Sequence, residues 1–279
     1  MTDASHRRWL LELISFLRVR EWYYLIGIGL LGYTYRMPRL DVAGLGVLLL
    51  VTTLYLAHGY AFNHYHDVQA REREVVRATV ARSGLLLSIA CLLGAIALAL
   101  RWLPPVVAAL LAGGGGISFL YSSSLTRLKR LPFWNVVLNS SGFTVLFLAG
   151  FFANKSYSSV LPCLGGYIWL GIVPFQIIHL MSHRIRERWP ISQRASLALF
   201  YASQALWVGF GAVAALLFYR GMVVLVALTA VYCLAQVLLV LHEKRGAELT
   251  VDGATETRRW LKRTSIIFGV LLVVLFVLT

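Results

Sequence analysis

Long apolar runs, separated by short basic connections, recur along the whole chain. Hydrophobic residues make up 59% of the 279 residues, and charged residues make up only 14%. About 20 consecutive apolar residues are enough for a helix to cross the hydrocarbon core of a bilayer. The pattern therefore predicts an all-α, polytopic membrane protein.

The apolar runs predict about nine transmembrane helices in a single domain, arranged as a bundle around a central cavity. The predicted spans are 22–35, 42–63, 84–102, 105–125, 133–153, 161–180, 195–219, 222–241 and 266–279. The first span could extend back toward Leu10 and the last could begin near Trp260, and an eight-span alternative stays open. The polar segment 242–259 is predicted to be a surface loop or a short amphipathic segment near the lipid headgroups.

The formal charge of +14 is spread over the connections and does not form a basic domain on which a nucleic acid could dock. If connections alternate across the membrane, one side holds 21 of the 26 Lys and Arg residues and the other holds 5. This asymmetry predicts a cytoplasmic N-terminus, as in a bacterial-type inner membrane. The three cysteines lie in separate apolar runs and are expected to be free buried thiols.

Two polar ladders end apolar spans in matching positions. They consist of Asn63, Asp67 and Arg71, and of His179, His183 and Glu187. Residues four apart share one face of a helix, and each member of the second ladder follows its counterpart by 116 residues. Polar groups are costly at the edge of an apolar span, so they indicate a function there.

The constant offset predicts two pseudo-repeated four-helix halves, about 10–125 and 133–242, followed by a last helix at about 260–279. Internal repeats commonly place a shared site where the halves meet. Both ladders are predicted to lie on the cytoplasmic side and to form such a site.

Four consecutive glycines, 113–116, lie in the middle of a predicted span. The basic and hydroxyl residues that follow the glycines of a P-loop are missing. The glycines are therefore predicted to allow close helix packing rather than to bind phosphate.

Asp67 is the one aspartate that ends a span beside other polar groups. It could instead form a helix-end pair with Arg71, and Glu187 could pair with a neighbouring arginine. Together, Asp67, His183 and Glu187 could hold a divalent cation. Carboxylate oxygens suit Mg²⁺, and the imidazole would extend tolerance to Mn²⁺.

A third polar stretch, 121–143, carries Arg127, Lys129 and Arg130 on the side of the ladders. Cations beside a carboxylate–metal centre are suited to a diphosphate. Contact with anionic lipid is the alternative reason for these basic residues.

The motifs resemble those of the UbiA superfamily of intramembrane prenyltransferases. The first ladder resembles that family's N-D-x-x-D-x-x-x-D motif at the end of the second helix, and the stretch from Gln176 stands where the family has D-x-x-x-D. The stretch from Tyr121–Ser122 through Lys129–Arg130 to Asn135, Asn139 and Gly142 resembles the loop between helices four and five.

The resemblance implies that the protein binds an allylic isoprenyl diphosphate through Mg²⁺ and ionises it. The catalytic residues it implies are Asn63, Asp67, His183 and Glu187. The substrate-binding residues it implies are Arg71, His179, Tyr121, Arg127, Lys129 and Arg130.

Several positions depart from the family motifs. His64 and Arg71 replace aspartates in the first motif, while His183 and Glu187 occupy the aspartate positions of the second. A single metal ion, or one ion with Arg71 as a fixed cation, is therefore expected.

Three functions are compatible with these residues. The first is transfer of the prenyl group to an aromatic or other lipophilic acceptor. The second is cyclisation of the isoprenyl diphosphate without an acceptor, as in UbiA-type terpene cyclases. The third is binding of a lipid or phosphate without turnover.

Overall fold

The computed structural model describes residues 14–35, 41–70, 78–126, 128–154, 158–187, 191–217, 222–243 and 251–278. Within these ranges the regular structure is entirely helical. Nine helices of nine or more residues are described: α1 (Ile26–Thr34), α2 (Val42–Ala70), α3 (Ala78–Trp102), α4 (Pro105–Ser122), α5 (Pro132–Asn154), α6 (Leu161–Glu187), α7 (Gln193–Leu217), α8 (Met222–Glu243) and α9 (Val251–Leu278). A helical turn, Val19–Trp22, and a 3₁₀ turn, Tyr23–Leu25, precede α1.

Among the described helices, α2 to α9 are long and apolar enough to cross a membrane. Large apolar side chains point outward from them, as Leu86, Leu216 and Val231 do at exposed fractions of 67%, 85% and 67%. Such outer surfaces fit lipid better than water. The predicted all-α polytopic membrane fold is confirmed.

The helices α2 and α6 run further than the apolar spans within them. The helix α2 continues to Ala70 and α6 continues to Glu187. Asn63 and Asp67 therefore lie four residues apart on one helix, as predicted, and the positions of the second ladder share another helix. Pro104 and Pro105 start α4, where a missing backbone N–H costs little.

The prediction for segment 242–259 is partly wrong, because α9 already begins at Val251. Ala254, Thr257 and Leu261 are at most 1% exposed, and their spacing puts them on one helical face. Ala254 and Leu261 belong to the same apolar cluster as Ile178 of α6. Burial of this face extends the helix well before the apolar part of α9.

One compact unit comprises α1 to α4 and the second half of α5. Within it α2 packs along α3, and both helices contact α4. A side chain at Gly114 would overlap the ring of Tyr55, and one at Gly115 would lie 2.6 Å from the side chain of Leu92. The predicted packing role is confirmed for these two glycines.

The helices α1 and α5 cross with their backbones in contact inside this unit. A Cβ atom at Gly32 would overlap the carbonyl oxygen of Phe147, and one at Gly150 would overlap the carbonyl oxygen of Gly29. Small residues at a crossing allow this approach between membrane helices.

A second compact unit comprises the first half of α5 and α6 to α9. The helix α6 packs against α7 and α9, while α8 contacts α7 and α9. Its core includes a stacked pair, Tyr232 and Phe268, whose ring centroids are 4.3 Å apart. A buried hydrogen bond of 2.7 Å from Gln204 Nε2 to Gln236 Oε1 joins α7 to α8.

Candidate active site

The end of α2 holds two side-chain oxygens around one cation. Lys129 Nζ donates a 2.9 Å hydrogen bond to Asn63 Oδ1 and forms an ion pair with Asp67 Oδ1. The side chains of Lys129 and Asp67 are 18% and 31% exposed, so the pair is partly sheltered from solvent. The amide and the carboxylate thus form a site that binds a positive charge, with one cation supplied by the protein itself.

Lys129 follows the loop after α4, and hydrogen bonds within that loop stabilise its turn. The hydroxyls of Ser123 and Thr126 lie 3.0 Å apart, and Thr126 Oγ1 donates to the carbonyl oxygen of Leu120 at 2.7 Å. Ser and Thr side chains stabilise turns in this way by bonding to nearby backbone groups. A 3₁₀ turn, Leu128–Arg130, follows and packs against α4. Lys129 lies in this turn, and its ammonium reaches Asn63 and Asp67 at the end of α2.

Ser122 is a site residue that the sequence analysis missed. Its hydroxyl donates a 3.2 Å hydrogen bond to Asn63 Oδ1, and the residue is 3% exposed. Asn63 Oδ1 thereby accepts from both Ser122 and Lys129, which fixes the orientation of its amide. The Tyr-Ser pair that ends the apolar run before the basic loop was the available sequence signal.

The two histidines between Asn63 and Asp67 contact aromatic rings. His64 packs edge-on against Phe16, with ring centroids 4.5 Å apart. His66 packs against Phe62 at 4.7 Å, and its Nδ1 atom is buried without a hydrogen-bond partner. At the position where the family motif has a second aspartate, this chain therefore has an imidazole held in an aromatic contact.

The opposite face of α2 carries a buried contact with α3. His58 Nδ1 lies 3.0 Å from Ser88 Oγ, and Ser88 Oγ donates to the carbonyl oxygen of His58 at 3.1 Å. His58 and Asp67 are nine residues apart, which is about half a turn out of phase on an α-helix. The bonds between His58 and Ser88 therefore join two helices on the side away from the candidate site.

In the second unit, the start of α5 is joined to α6 by polar side chains. Asn139 Nδ2 donates a 2.5 Å hydrogen bond to Gln176 Oε1, and Trp169 Nε1 donates to Ser141 Oγ at 3.1 Å. Gln176 is 7% exposed, and His179 lies one turn further along α6. Asn139 and Gln176, both part of the motifs quoted above, thus contact each other directly.

The remaining predicted site residues differ in what the structure describes. Tyr121 is half-buried at the end of α4, His179 is half-buried on α6, and Arg130 is exposed. His183 and Glu187 occupy the predicted positions on α6, but their side chains lie outside the described part of the chain. Arg71 and Arg127 lie outside the described residues altogether.

A protein-family model described as the UbiA prenyltransferase family matches residues 22–266. The chain belongs to the UbiA prenyltransferase family. The family predicted from the motifs is therefore confirmed, and the protein is an intramembrane prenyltransferase of the UbiA type. No curated protein sequence matches the chain.

Solved UbiA structures share the fold of this family member. A UbiA homologue from Archaeoglobus fulgidus bound to GPP and Mg²⁺ has a TM-score of 0.74 at 17% identity, covering 94% of this chain and 99% of that chain. A UbiA homologue from Archaeoglobus fulgidus bound to DMAPP and Mg²⁺ has a TM-score of 0.72 at 16% identity, covering 94% of this chain and 99% of that chain. A digeranylgeranylglyceryl phosphate synthase gives 0.72 at 16% identity, covering 98% of this chain and 100% of that chain.

The side-chain oxygens at the end of α2 in this UbiA-family protein are suitable ligands for a hard metal cation. Asn63 and Asp67 both direct an oxygen at a single positive charge, and Mg²⁺ takes oxygen ligands. Among the described residues no group of three or more His, Cys, Asp or Glu side chains could hold a metal. Within the described residues, Asn63 and Asp67 are therefore the side chains at this site that could offer oxygen ligands to such an ion.

Proposed function

We propose that the protein transfers an isoprenyl group from an allylic diphosphate to an aromatic or other lipophilic acceptor. The observation that carries this proposal is the Lys129 ammonium held between Asn63 and Asp67 at the end of α2. A carboxylate for a metal and a cation for phosphate oxygens stand side by side there. The solved homologue that binds GPP and Mg²⁺ supports the same substrate class.

In this proposal the chain breaks one bond and forms another. The allylic C–O bond breaks with its electron pair leaving on the diphosphate, and the resulting allylic cation bonds to a nucleophilic atom of the acceptor. The acceptor then loses a proton. The contribution of the protein is to stabilise the departing diphosphate, whose negative charge grows as the bond breaks.

Each described residue has a role in that step. Lys129 donates to a diphosphate oxygen, and such charge-assisted hydrogen bonds are among the strongest in proteins. Asp67 and Asn63 supply oxygen ligands for a metal ion, while Ser122 holds the Asn63 amide in position. When bound, Mg²⁺ would neutralise diphosphate charge and act as a Lewis acid for its departure.

The same contacts imply that Lys129 and the metal share Asp67. The Lys129 ammonium is paired with the Asp67 carboxylate. Asp67 would hold the metal ion when it is bound, and Lys129 would donate to phosphate oxygens of the substrate. Lys129 therefore has two proposed roles, neutralising the Asp67 carboxylate and donating to the diphosphate.

The other site residues extend the proposal from sequence. We propose that His183 and Glu187 bind the metal together with Asp67. The proposed catalytic residues are these three and Asn63. We assign substrate contacts to Arg71, His179, Tyr121, Arg127 and Arg130 in addition to Lys129. We propose that the metal is Mg²⁺, bound as a single ion, and that Mn²⁺ can replace it.

One assay tests the function. The purified protein in lipid nanodiscs is incubated with C10, C15 and C20 allylic diphosphates and Mg²⁺, with and without phenolic acceptors. Diphosphate release that depends on the acceptor, with a prenylated product, supports transfer. Release without acceptor and a cyclic hydrocarbon product would identify a terpene cyclase, the runner-up, which the altered acidic motifs make more attractive than it is for a typical family member. Binding of diphosphate without turnover would identify a non-catalytic lipid- or phosphate-binding protein.

A further inference from the structure

The helix α9 presents an outer face whose chemistry changes along its length. Only 17% of the residues in its apolar, membrane-spanning stretch are buried, the lowest share among the eight candidate spans in the described chain. The apolar half exposes Ile267, Val270 and Val274 at fractions of 62%, 57% and 49%. These residues lie three or four apart, so they form one stripe along the helix. The stripe is a surface for acyl chains.

Charged and aromatic side chains continue the same face toward the start of α9. Trp260 is 42% exposed, and the guanidinium of Arg263 lies 5.5 Å from the centroid of its ring. Arg259 Nη1 forms a 2.9 Å ion pair with Glu256, and the Arg259 side chain is 68% exposed. An arginine that stacks on an indole keeps its N–H groups available in a fixed plane. This part of the helix is therefore suited to an anionic group whose oxygens accept hydrogen bonds, such as a phosphate.

The net positive charge of the first turns of α9 favours binding of an anion. Four basic residues, Arg258, Arg259, Lys262 and Arg263, follow the two acidic residues Asp252 and Glu256 within twelve residues of the helix. Tryptophan and arginine at the junction of a polar and an apolar segment are typical of the membrane–water interface. The apolar stripe begins within one turn of Arg263 and lies on the same face.

We propose that this face of α9 binds an anionic phospholipid, with its phosphate on Arg259 and Arg263 and its acyl chains along the stripe from Ile267 to Val274. A free phosphate could satisfy the arginines, but it would leave the adjoining stripe unused. Glu256 opposes binding, because its carboxylate competes with the lipid phosphate for Arg259.

The test measures lipid binding to the full-length protein rather than activity. Detergent-solubilised protein is titrated with phosphatidylglycerol and with phosphatidylcholine, and bound lipids are counted by native mass spectrometry. We expect tighter binding of phosphatidylglycerol. Arg263→Gln should weaken that preference by about fivefold, since a basic residue near an anionic surface contributes about that factor. Glu256→Gln should strengthen it, because Arg259 loses its internal partner.

The structure offers a matched control. Arg101 lies over the ring of Trp102 at 4.7 Å, at the far end of α3, without a second arginine one turn away. Arg101→Gln should leave the preference unchanged. Equal binding of the two lipids, or an equal loss in Arg101→Gln and Arg263→Gln, would overturn the proposal. So would displacement of the lipid by millimolar inorganic phosphate, which would indicate a phosphate site rather than a lipid surface. If Arg263→Gln does not fold, the gain expected for Glu256→Gln still decides, because a lost or unchanged preference in that variant overturns the proposal.

Discussion

The ammonium of Lys129 forms an ion pair with the carboxylate of Asp67, although 62 residues separate them in the chain. The pair joins the loop after α4 to the end of α2, and Asn63 and Ser122 complete its hydrogen bonds. This arrangement neutralises the one aspartate of the first motif. It also makes the stability of the protein depend on residues that we propose act on substrate.

The ion pair should be measurable in the absence of substrate. We expect Lys129→Met and Asp67→Asn each to lower the thermal stability of the ligand-free protein, because each leaves a partner alone in a partly buried position. The double variant should lose less free energy of unfolding than the sum of the two single losses. We expect a difference of about 1 kcal/mol for a pair of this exposure. The measurement is thermal unfolding in detergent for all four proteins. Strictly additive losses would contradict the pairing.

Asp67→Asn should remove most of the activity while leaving the protein folded. The amide retains the shape of the carboxylate but loses its charge, so a metal ion binds weakly and the departing diphosphate is less stabilised. We expect kcat to fall on the order of a hundredfold or more. Steady-state diphosphate release, with monodispersity in detergent as the folding check, measures this. Asp252→Asn, near the start of α9, is the control that should keep normal turnover; wild-type activity in Asp67→Asn would eliminate the metal role.

Ser122→Ala should reduce catalytic efficiency more than stability. The variant removes one of the two donors to Asn63 Oδ1, and a typical hydrogen bond of this kind contributes about 1 kcal/mol, so kcat/KM should fall about fivefold. Ser88→Ala is the comparison, since Ser88 bonds to the opposite face of α2. That variant should lower the melting temperature but keep the kcat of the folded protein. Equal kinetic effects in the two variants would show that Ser122 acts only through stability.

Glu187→Gln should raise the concentration of Mg²⁺ needed for half-maximal activity. This prediction rests on the sequence, because Glu187 occupies the position of a motif aspartate and is the carboxylate expected to complement Asp67. The measurement is a Mg²⁺ titration of diphosphate release at saturating substrate. A titration curve that matches the unmodified protein would indicate that Glu187 is only a surface partner of a neighbouring arginine.

Gly150→Ala should destabilise the protein strongly. A methyl group there would overlap the backbone of α1 at Gly29, and overpacking of this kind costs about 1–3 kcal/mol or more. Gly46→Ala on α2 is the matched control, because a methyl group at Gly46 meets no atom within 4 Å. Alanine is the better helix former, so this control should be neutral or slightly stabilising. Comparable melting temperatures for the two variants would argue against the close crossing of α1 and α5.

Among the predictions from sequence, those that depend on local periodicity agree best with the structure. Apolar run lengths gave the polytopic helical class, and four-residue spacing put Asn63 and Asp67 on one helical face. Both predictions depend only on residues that are close in the chain. The geometry of a helix sets the four-residue spacing, and hydrogen bonds within the helix satisfy the backbone groups that would be costly to expose to lipid. The start of α9 was missed because it is polar on one face, and only its burial against α6 reveals Ala254 and Leu261 as core residues.

The sequence by itself determined that this is a helical membrane protein of the UbiA family with a reduced set of acidic motif residues. Only the tertiary structure decided that Lys129 is the cation on Asp67, and that Ser122 holds Asn63. The physical reason is that these contacts join residues more than 50 positions apart through a loop whose path depends on hydrogen bonds from Ser123 and Thr126. No periodicity in the chain encodes that path.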